Sequence, residues 1–296
     1  MRVLVTGATG FVGSAVVQEL VAHGHQVLGL VRSEGGVQAL EAAGAEVVRG
    51  RLEDMDHLAR AAASAEAVIH TAFNHDFSRF AENCDLDRRA IAALGAGLEG
   101  SGKPLLVTSG TARLASGRLA LETDLPKEGV DGYPRMSEAA AADLLDKGVR
   151  ASVVRLAPST HGAGDHGFVP MLIDIARRTG VSAYPGDGQN RWSAVHRRDA
   201  AKVYHLAIER GAGGERYHAV AEEAVPFREI ASVIGRGLGL PVESRPPEHF
   251  GWFAMFAGMD AATSSAWTRQ TLGWTPTEAG LIADIEMSGY FDPAIG

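Results

Sequence analysis

Gly7, Gly10 and Gly13 stand three residues apart in "VTGATGFVG", between a β-branched run and a stretch of helical character. Glycine at such a turn lets the chain reverse tightly and lets a pyrophosphate approach the first turn of the helix. Free N–H groups and the helix dipole favour negative charge at that point. Thr9, Phe11 and Val12 complete the loop, and its place after the first strand predicts dinucleotide binding rather than a bare turn. The second strand ends in "LVRSE". A carboxylate there would take the ribose hydroxyls of NAD, whereas the planar fork of an arginine matches the 2′-phosphate of NADP. Arg32 and Ser33 occupy the turn and Glu34 comes one step later, so NADP (as NADPH) is the preferred cofactor and NAD the second reading.

A second group of reactive side chains follows in the middle of the chain. Ser109 and Thr111 flank Gly110 in "VTSGT", and "DGYPRMSEAAAADLL" (131–145) reads as the start of an amphipathic helix led by Tyr133. Pro134 suits a first helical turn, which sets Tyr133 just outside the helix and facing the cleft. Arg135 is the cation of that stretch. His161 and His196 are alternative proton-transfer groups. His75, Asp76 and Arg79 in "NHDFSRF" (74–80) read first as a solvated loop and helix cap, and second as substrate contacts. The chain has eleven histidines, but none has the spacing of a motif such as His-Glu-x-x-His, so no metal is expected. A Gly-x-Ser-x-Gly elbow is missing, which removes a serine hydrolase. Phe250, Trp252, Phe253, Met255 and Phe256 cluster in "HFGWFAMFAGM" (249–259). They read as a core helix; a face turned to the cleft would select an apolar or aromatic substrate, not a nucleotide sugar whose diphosphate needs cationic clamps.

These residues need elements that hold them. Near-continuous apolar runs at 2–6, 25–31, 45–50, 67–70, 104–109 and 151–157 alternate with helical stretches at 11–23, 35–43, 55–65 and 78–100 and after Tyr133. Apolar runs without alternation are strands covered on both faces, and repeated β-then-α units give right-handed crossovers. The expected fold is α/β, a Rossmann-type doubly wound parallel sheet with a smaller, mainly helical C-terminal substrate domain. Residues 1–158 and 192–218 are assigned to the first unit, and 159–191 and 219–296 to the second.

The 296 residues, 46% hydrophobic and 22% charged, suit a soluble globular protein, and a net charge of −8 opposes nucleic-acid or anionic-membrane partners. The lone Cys84 rules out an intrachain disulfide. No apolar run reaches the ~18 residues of a membrane span, and "MRVLVTGATG" is broken too early to be a signal peptide. A cytoplasmic protein acting on a small molecule is expected, with homo-oligomerisation left open.

"TGATGFVG", "VIHTA", "LLVTSG", "VVRLAPSTHG" and "WSAVHRRDAA" stand in the order and approximate spacing of the short-chain dehydrogenase/reductase superfamily. The chain resembles the extended branch, which includes nucleotide-sugar epimerases and dehydratases, over nearly its whole length. The resemblance implies an active site in the cleft between two domains. It implies that Ala72 and Phe73 line the cofactor and that Pro158 and Ser159 lie near the nicotinamide. An aspartate often meets the adenine after the third strand; Arg51 stands there instead, so only the backbone around Leu52 carries over.

The catalytic pattern departs from that family. Its members use Ser or Thr after the fifth strand and then Tyr-x-x-x-Lys, with the lysine lowering the tyrosine pKa and gripping the nicotinamide ribose. Here Gly110 falls on the serine, leaving Ser109 and Thr111 to orient a substrate oxygen. One register puts Pro134 on the tyrosine and Glu138 on the lysine; the other keeps Tyr133 and puts Ser137 on the lysine. Neither recovers the cation, and Tyr133 or Arg135 is left as acid or electrostatic support. The expectation is an atypical NADP-dependent oxidoreductase moving a hydride between nicotinamide and a carbonyl-type group of a small, partly apolar substrate. A non-catalytic NADP(H)-binding sensor or scaffold is the alternative, and a sugar-nucleotide epimerase or dehydratase a third.

Overall fold

The alternation of apolar runs and helical stretches builds a parallel sheet wound on both faces. The structure, a computed structural model, describes residues 1–126, 134–211 and 213–292. The chain begins β1 (Arg2–Thr6), α1 (Phe11–Ala22), β2 (Gln26–Val31), α2 (Glu34–Ala42), β3 (Glu46–Arg49), α3 (Met55–Ala63) and β4 (Ala67–His70). It continues with α4 (Phe80–Ala96), β5 (Pro104–Gly110), α5 (Ser137–Ala142), β6 (Arg150–Leu156), β7 (Ser159–His161) and α6 (Phe168–Thr179). Next come β8 (Ser182–Pro185), β9 (Arg191–His196), α7 (Arg197–Arg210), β10 (Arg216–Ala219), β11 (Glu222–Pro226) and α8 (Phe227–Leu238). The chain closes with β12 (Val242–Arg245), α9 (Ala254–Ala257), α10 (Ala266–Leu272) and α11 (Leu281–Met287).

Seven strands pair in parallel in the order β10-β6-β5-β4-β1-β2-β3. The strand order reverses between β1 and β4, and in such sheets a ligand crevice opens at that switch point, outside the carboxyl ends of the strands. Both faces are covered, which is why the strands carry no polar alternation. Val3 and Val5 point to the side of α1 and α7, where they pack with Val16, Leu20, Ala200 and Tyr204. Leu4, one residue out of phase, points to α3, α4 and α5 with Leu58, Ile91, Leu94 and Ala141.

A separate core gathers Trp192, Phe227, Ile230, Phe253 and Leu281. Beside its helices it holds two small sheets, ordered β11-β9-β7 and β12-β8. Among the described residues no helix is long and apolar enough to cross a membrane.

Two local expectations are corrected. α5 starts at Ser137, with Met136 at its N-cap, so Pro134 and Arg135 precede the helix instead of opening it. The stretch 249–259 is no single helix: a 3₁₀ segment, Pro247–Phe253, is broken within itself at Gly251, whose φ of 55° suits glycine, and then leads into α9. Around it Phe250 and Phe253 are buried, whereas Trp252 and Met255 are exposed.

Candidate active site

The glycine turn lies at the carboxyl end of β1, on the switch point. Gly7 has φ 69°, and a Cβ on it would stand 2.7 Å from the Ala72 nitrogen, so the segment after β4 closes directly onto it. A Cβ on Gly13 would lie 2.0 Å from the Gly7 carbonyl oxygen. Gly10 N–H donates to Gly7 O (2.8 Å) and Gly10 caps α1 without any side chain over the helix end. Thr9 and Gly10 are exposed, with Phe11 and Val12 half-buried behind them. The Phe11 ring carries the Arg197 guanidinium at 5.0 Å and meets His166 edge-on at 5.7 Å. A cradle that any side chain at Gly7 or Gly13 would fill fits a dinucleotide pyrophosphate.

Arg32 is exposed at the end of β2, and no side-chain partner engages it among the described residues. Ser33 caps α2, its Oγ accepting from Gly36 N–H at 3.3 Å. Glu34 is drawn away by Arg49, at 2.8 Å. Leu52 is half-buried against the core under α3. Ala72 and Phe73 are half-buried just beyond β4, and Pro158 is half-buried between β6 and β7. Ser159 is buried, and its Oγ has no hydrogen-bond partner. A buried hydroxyl without a partner carries a desolvation cost that a bound polar group would relieve.

The side chains around the missing lysine fall into two separate networks. In the first, Arg135 Nε donates to Ser137 Oγ (3.0 Å), Arg135 Nη2 donates to Thr108 O (3.2 Å), and the guanidinium lies 4.4 Å above the Phe73 ring. Ser137 Oγ in turn donates to Asp87 Oδ2 (2.5 Å). Asp87 Oδ1 lies 3.1 Å from His70 Nε2, and His70 Nδ1 lies 2.7 Å from Thr6 Oγ1. Burial pushes the Asp87 carboxyl up, but the His70 hydrogen bond and the charges of His70 and Arg135 outweigh it, and its pKa lies below the usual value. Arg135 is therefore a cation held on three sides at the carboxyl end of β5.

In the second, Glu138 forms a two-pronged ion pair with Arg155 of β6, Nε to Oε1 at 2.8 Å and Nη2 to Oε2 at 2.7 Å. Arg216 adds a third contact at 3.2 Å. Arg155 Nη1 donates to His218 Nε2 (3.0 Å) and the Glu122 carbonyl (3.5 Å), and Nη2 donates to the Asp124 carbonyl (2.8 Å). Glu138 thus faces the β10 edge of the sheet. The register that places it on the lysine puts it in an ion-pair network with Arg155 and Arg216.

Ser109 is buried at the end of β5, on the α5 side, without a side-chain partner among the described residues. Thr111 is 1% exposed and its hydroxyl lies 3.3 Å from Ser193 Oγ, so it is engaged by β9 instead of being presented to a substrate. Tyr133 lies outside the described residues. His161 is buried, with Nδ1 on Asp284 Oδ2 at 2.7 Å, and the His196 ring stands 5.5 Å from it. His75 lies in the exposed loop after β4; desolvation by the protein around it, with the charges of Arg135 and His166, lowers its pKa to about 4. It is therefore a neutral imidazole beside a fixed cation. Its residue type and place after β4 pointed to it only weakly, and the Asp87–His70–Thr6 chain had no sequence signal, because its members come from three elements.

Aromatic side chains join the two cores. Phe77, from the turn before α4, meets Trp252 at 5.4 Å and Phe256 at 5.8 Å. Phe73 stands 5.2 Å from His75 and 6.1 Å from Phe80. Trp252 remains 57% exposed, so much of its ring is open to a ligand or to solvent.

A glycine cradle at the switch point of a doubly wound parallel sheet defines an NAD(P)-binding α/β protein. The family model described as NAD(P)H-binding matches residues 7–205, and the chain belongs to that family, as an atypical extended member of the short-chain dehydrogenase/reductase superfamily. An uncharacterised protein of Schizosaccharomyces pombe is 49% identical over 298 residues, covering 98% of this chain and 100% of that protein. The 4-hydroxy-2-methyl-3-oxo-4-farnesyl-3,4-dihydroquinoline-1-oxide ketoreductase of Stigmatella aurantiaca is 31% identical, over 82% of this chain and 75% of that enzyme. The structure of UDP-glucose 4-epimerase from Thermus thermophilus, in complex with NAD, superposes with a TM-score of 0.75 at 22% identity, over 99% of this chain and 100% of the other. That last likeness is one of fold. Family members are oxidoreductases and epimerases.

Proposed function

We propose that the protein is an NADP-dependent oxidoreductase that moves a hydride between nicotinamide and a carbonyl-type group of a small, partly apolar molecule. The observation that carries this reading is Arg135, a cation oriented by Ser137, the Thr108 carbonyl and the Phe73 ring where the relay lysine is missing. Bound across the switch point, the nicotinamide would supply or accept the hydride. Gly7, Thr9, Gly10, Phe11, Val12 and Gly13 would hold the pyrophosphate, Arg32 and Ser33 the 2′-phosphate, and Leu52 the adenine side. Ala72, Phe73, Pro158 and Ser159 would line the nicotinamide half. The exposed, unengaged Arg32 and the pairing of Glu34 with Arg49 support NADP over NAD.

Ser109 orients the substrate oxygen, and Arg135 stabilises the negative charge that develops on it, with no reorganisation because its neighbours already hold it. Tyr133 supplies the proton. The Phe77, Trp252 and Phe256 rings favour an apolar body on the substrate over a diphosphate. A reductase among the relatives supports the same reaction class.

The test is NADPH oxidation against aldehydes and ketones of increasing apolar size, with the wild type, Arg135→Ala and Arg135→Lys. The alanine variant is expected to lose about 10²–10³-fold in kcat, as for removal of one oxyanion donor, and lysine to recover part of it. Tight NADPH binding without turnover of any carbonyl would favour the sensor instead.

A further inference from the structure

The geometry points to a second site, outside the nucleotide crevice, that takes one divalent transition-metal ion of the Zn²⁺ type on His25, His205 and Glu209. α1 ends at Ala22 and α7 at Arg210, side by side beneath the start of β2. His205 and Glu209 are one turn apart on α7, and His25 directly precedes β2. Glu209 Oε1 lies 3.4 Å from His205 Nε2 and 3.5 Å from His25 Nε2. Both imidazoles are buried, with side chains 7% and 6% exposed, and neither Nε2 has a hydrogen-bond partner.

Those separations are informative. A charge-assisted hydrogen bond between imidazole and carboxylate would close to about 2.7–2.9 Å. Donors on a tetrahedral ion with bonds of about 2.0–2.1 Å stand about 3.3–3.4 Å apart, the edge of that tetrahedron. The two orphaned nitrogens stand 3.4 and 3.5 Å from the carboxylate oxygen, which matches the metal edge and not the hydrogen bond, and all three ligand atoms lie within 4.8 Å of one another.

The surroundings fit as well. Glu19 Oε1 stands 3.4 Å from His205 Nδ1, a carboxylate beside the ring's other nitrogen that a small side-chain shift would bring into the hydrogen bond outer carboxylates make to ligand imidazoles. The Met1 amine lies 3.3 Å from His25 Nδ1. Both helices present their C-terminal dipole ends here, which favours a cation. Two imidazoles and one carboxylate suit Zn²⁺, Co²⁺ or Ni²⁺ over Mg²⁺ or Ca²⁺. Glu209 is 51% exposed, leaving an entry path and a water position. His23 also adjoins His205, at 4.1 Å between rings, but its Nδ1 is engaged by the Glu19 carbonyl at 2.9 Å and its side chain is half exposed. Two ligands come from α7 and the third from the turn before β2, about 180 residues earlier, so the set is assembled only by the fold. The ion would tie the far end of α1 to α7 about 18 Å from the cradle at its near end, a structural clamp and no part of hydride transfer.

The test uses the full chain without a histidine tag, stripped with chelator and titrated with ZnCl₂ and CoCl₂. One equivalent of Zn²⁺ by native mass spectrometry, a visible Co²⁺ spectrum of tetrahedral type and a rise in melting midpoint of about 4–8 °C at 100 times Kd are expected. His205→Asn and Glu209→Gln should lose stoichiometric binding. Glu19→Gln should weaken it about 10–100-fold, and His23→Ala should keep it. Should His205→Asn fold poorly, the half-exposed Glu209 still provides the decision. Failure to retain one equivalent, or retention undiminished in Glu209→Gln and His25→Gln, would overturn the site.

Discussion

Replacing Glu138 by leucine distinguishes a fastening role from a substitute for the missing lysine. Arg155 is 0% exposed and Glu138 3%, and their paired contacts at 2.8 and 2.7 Å leave the guanidinium nothing comparable once the carboxylate is removed. Breaking a buried pair from one side costs about 3–5 kcal/mol, because the remaining charge is stranded in a low dielectric. His218 Nε2 and the Asp124 carbonyl still accept from Arg155, which places the expectation toward the lower half of that range. With a urea slope of about 3 kcal/mol/M, the unfolding midpoint should fall by about 1–1.3 M. Glu138→Leu combined with Arg155→Met removes both charges and should recover most of the loss. Circular dichroism in urea reads stability, and NADPH oxidation by the folded fraction reads function. A midpoint change under 0.3 M, about 1 kcal/mol on that slope, together with a collapse of kcat would refute the reasoning and put Glu138 at the reacting centre.

Arg32→Ala should weaken NADPH binding at least tenfold and leave NADH nearly unchanged, measured by quenching titration; equal affinity of variant and wild type for NADPH would remove the 2′-phosphate assignment. Acidification should destabilise the fold. His218 Nδ1 donates to the Ser264 carbonyl at 2.7 Å and Nε2 accepts from Arg155 at 3.0 Å, so protonation would set two donors against each other. Burial first, then the Arg155 charge, lower its pKa to about 4, against partial opposition from the Ser264 bond and the Glu122 and Glu138 charges. Since the unfolded histidine protonates first, near 6.5, this stability is complete above that pH and is lost as the pH falls toward 4. His218→Gln retains an acceptor for Arg155 and should flatten the decline in melting temperature between pH 7 and 5; an unchanged slope would place the sensitivity elsewhere.

The candidate site was legible in uneven parts. Gly7, Gly10 and Gly13 could be read because a tight turn and a close phosphate approach are demands met within a few consecutive residues. Arg32 and Ser33 could be placed because they end a strand whose position follows from the same alternation. Thr111 could not be excluded in advance: its partner Ser193 arrives with β9, more than eighty residues later. Pro134 suggested a helix start by local propensity, yet the helix opens at Ser137, whose hydroxyl is drawn to Asp87 of α4.

By itself, then, the sequence determined the parallel α/β architecture and the phosphate cradle, since apolar runs covered on both faces and a glycine turn are properties of neighbouring residues. The role of each charged group was decided only in three dimensions. Arg135 and Glu138, three residues apart, are sent to opposite duties because β4 and α4 bring Phe73 and Asp87 to the one, while β6 and β10 bring Arg155 and Arg216 to the other. A charge acts through what lies within a few ångströms of it, and those neighbours are chosen by the packing of distant elements.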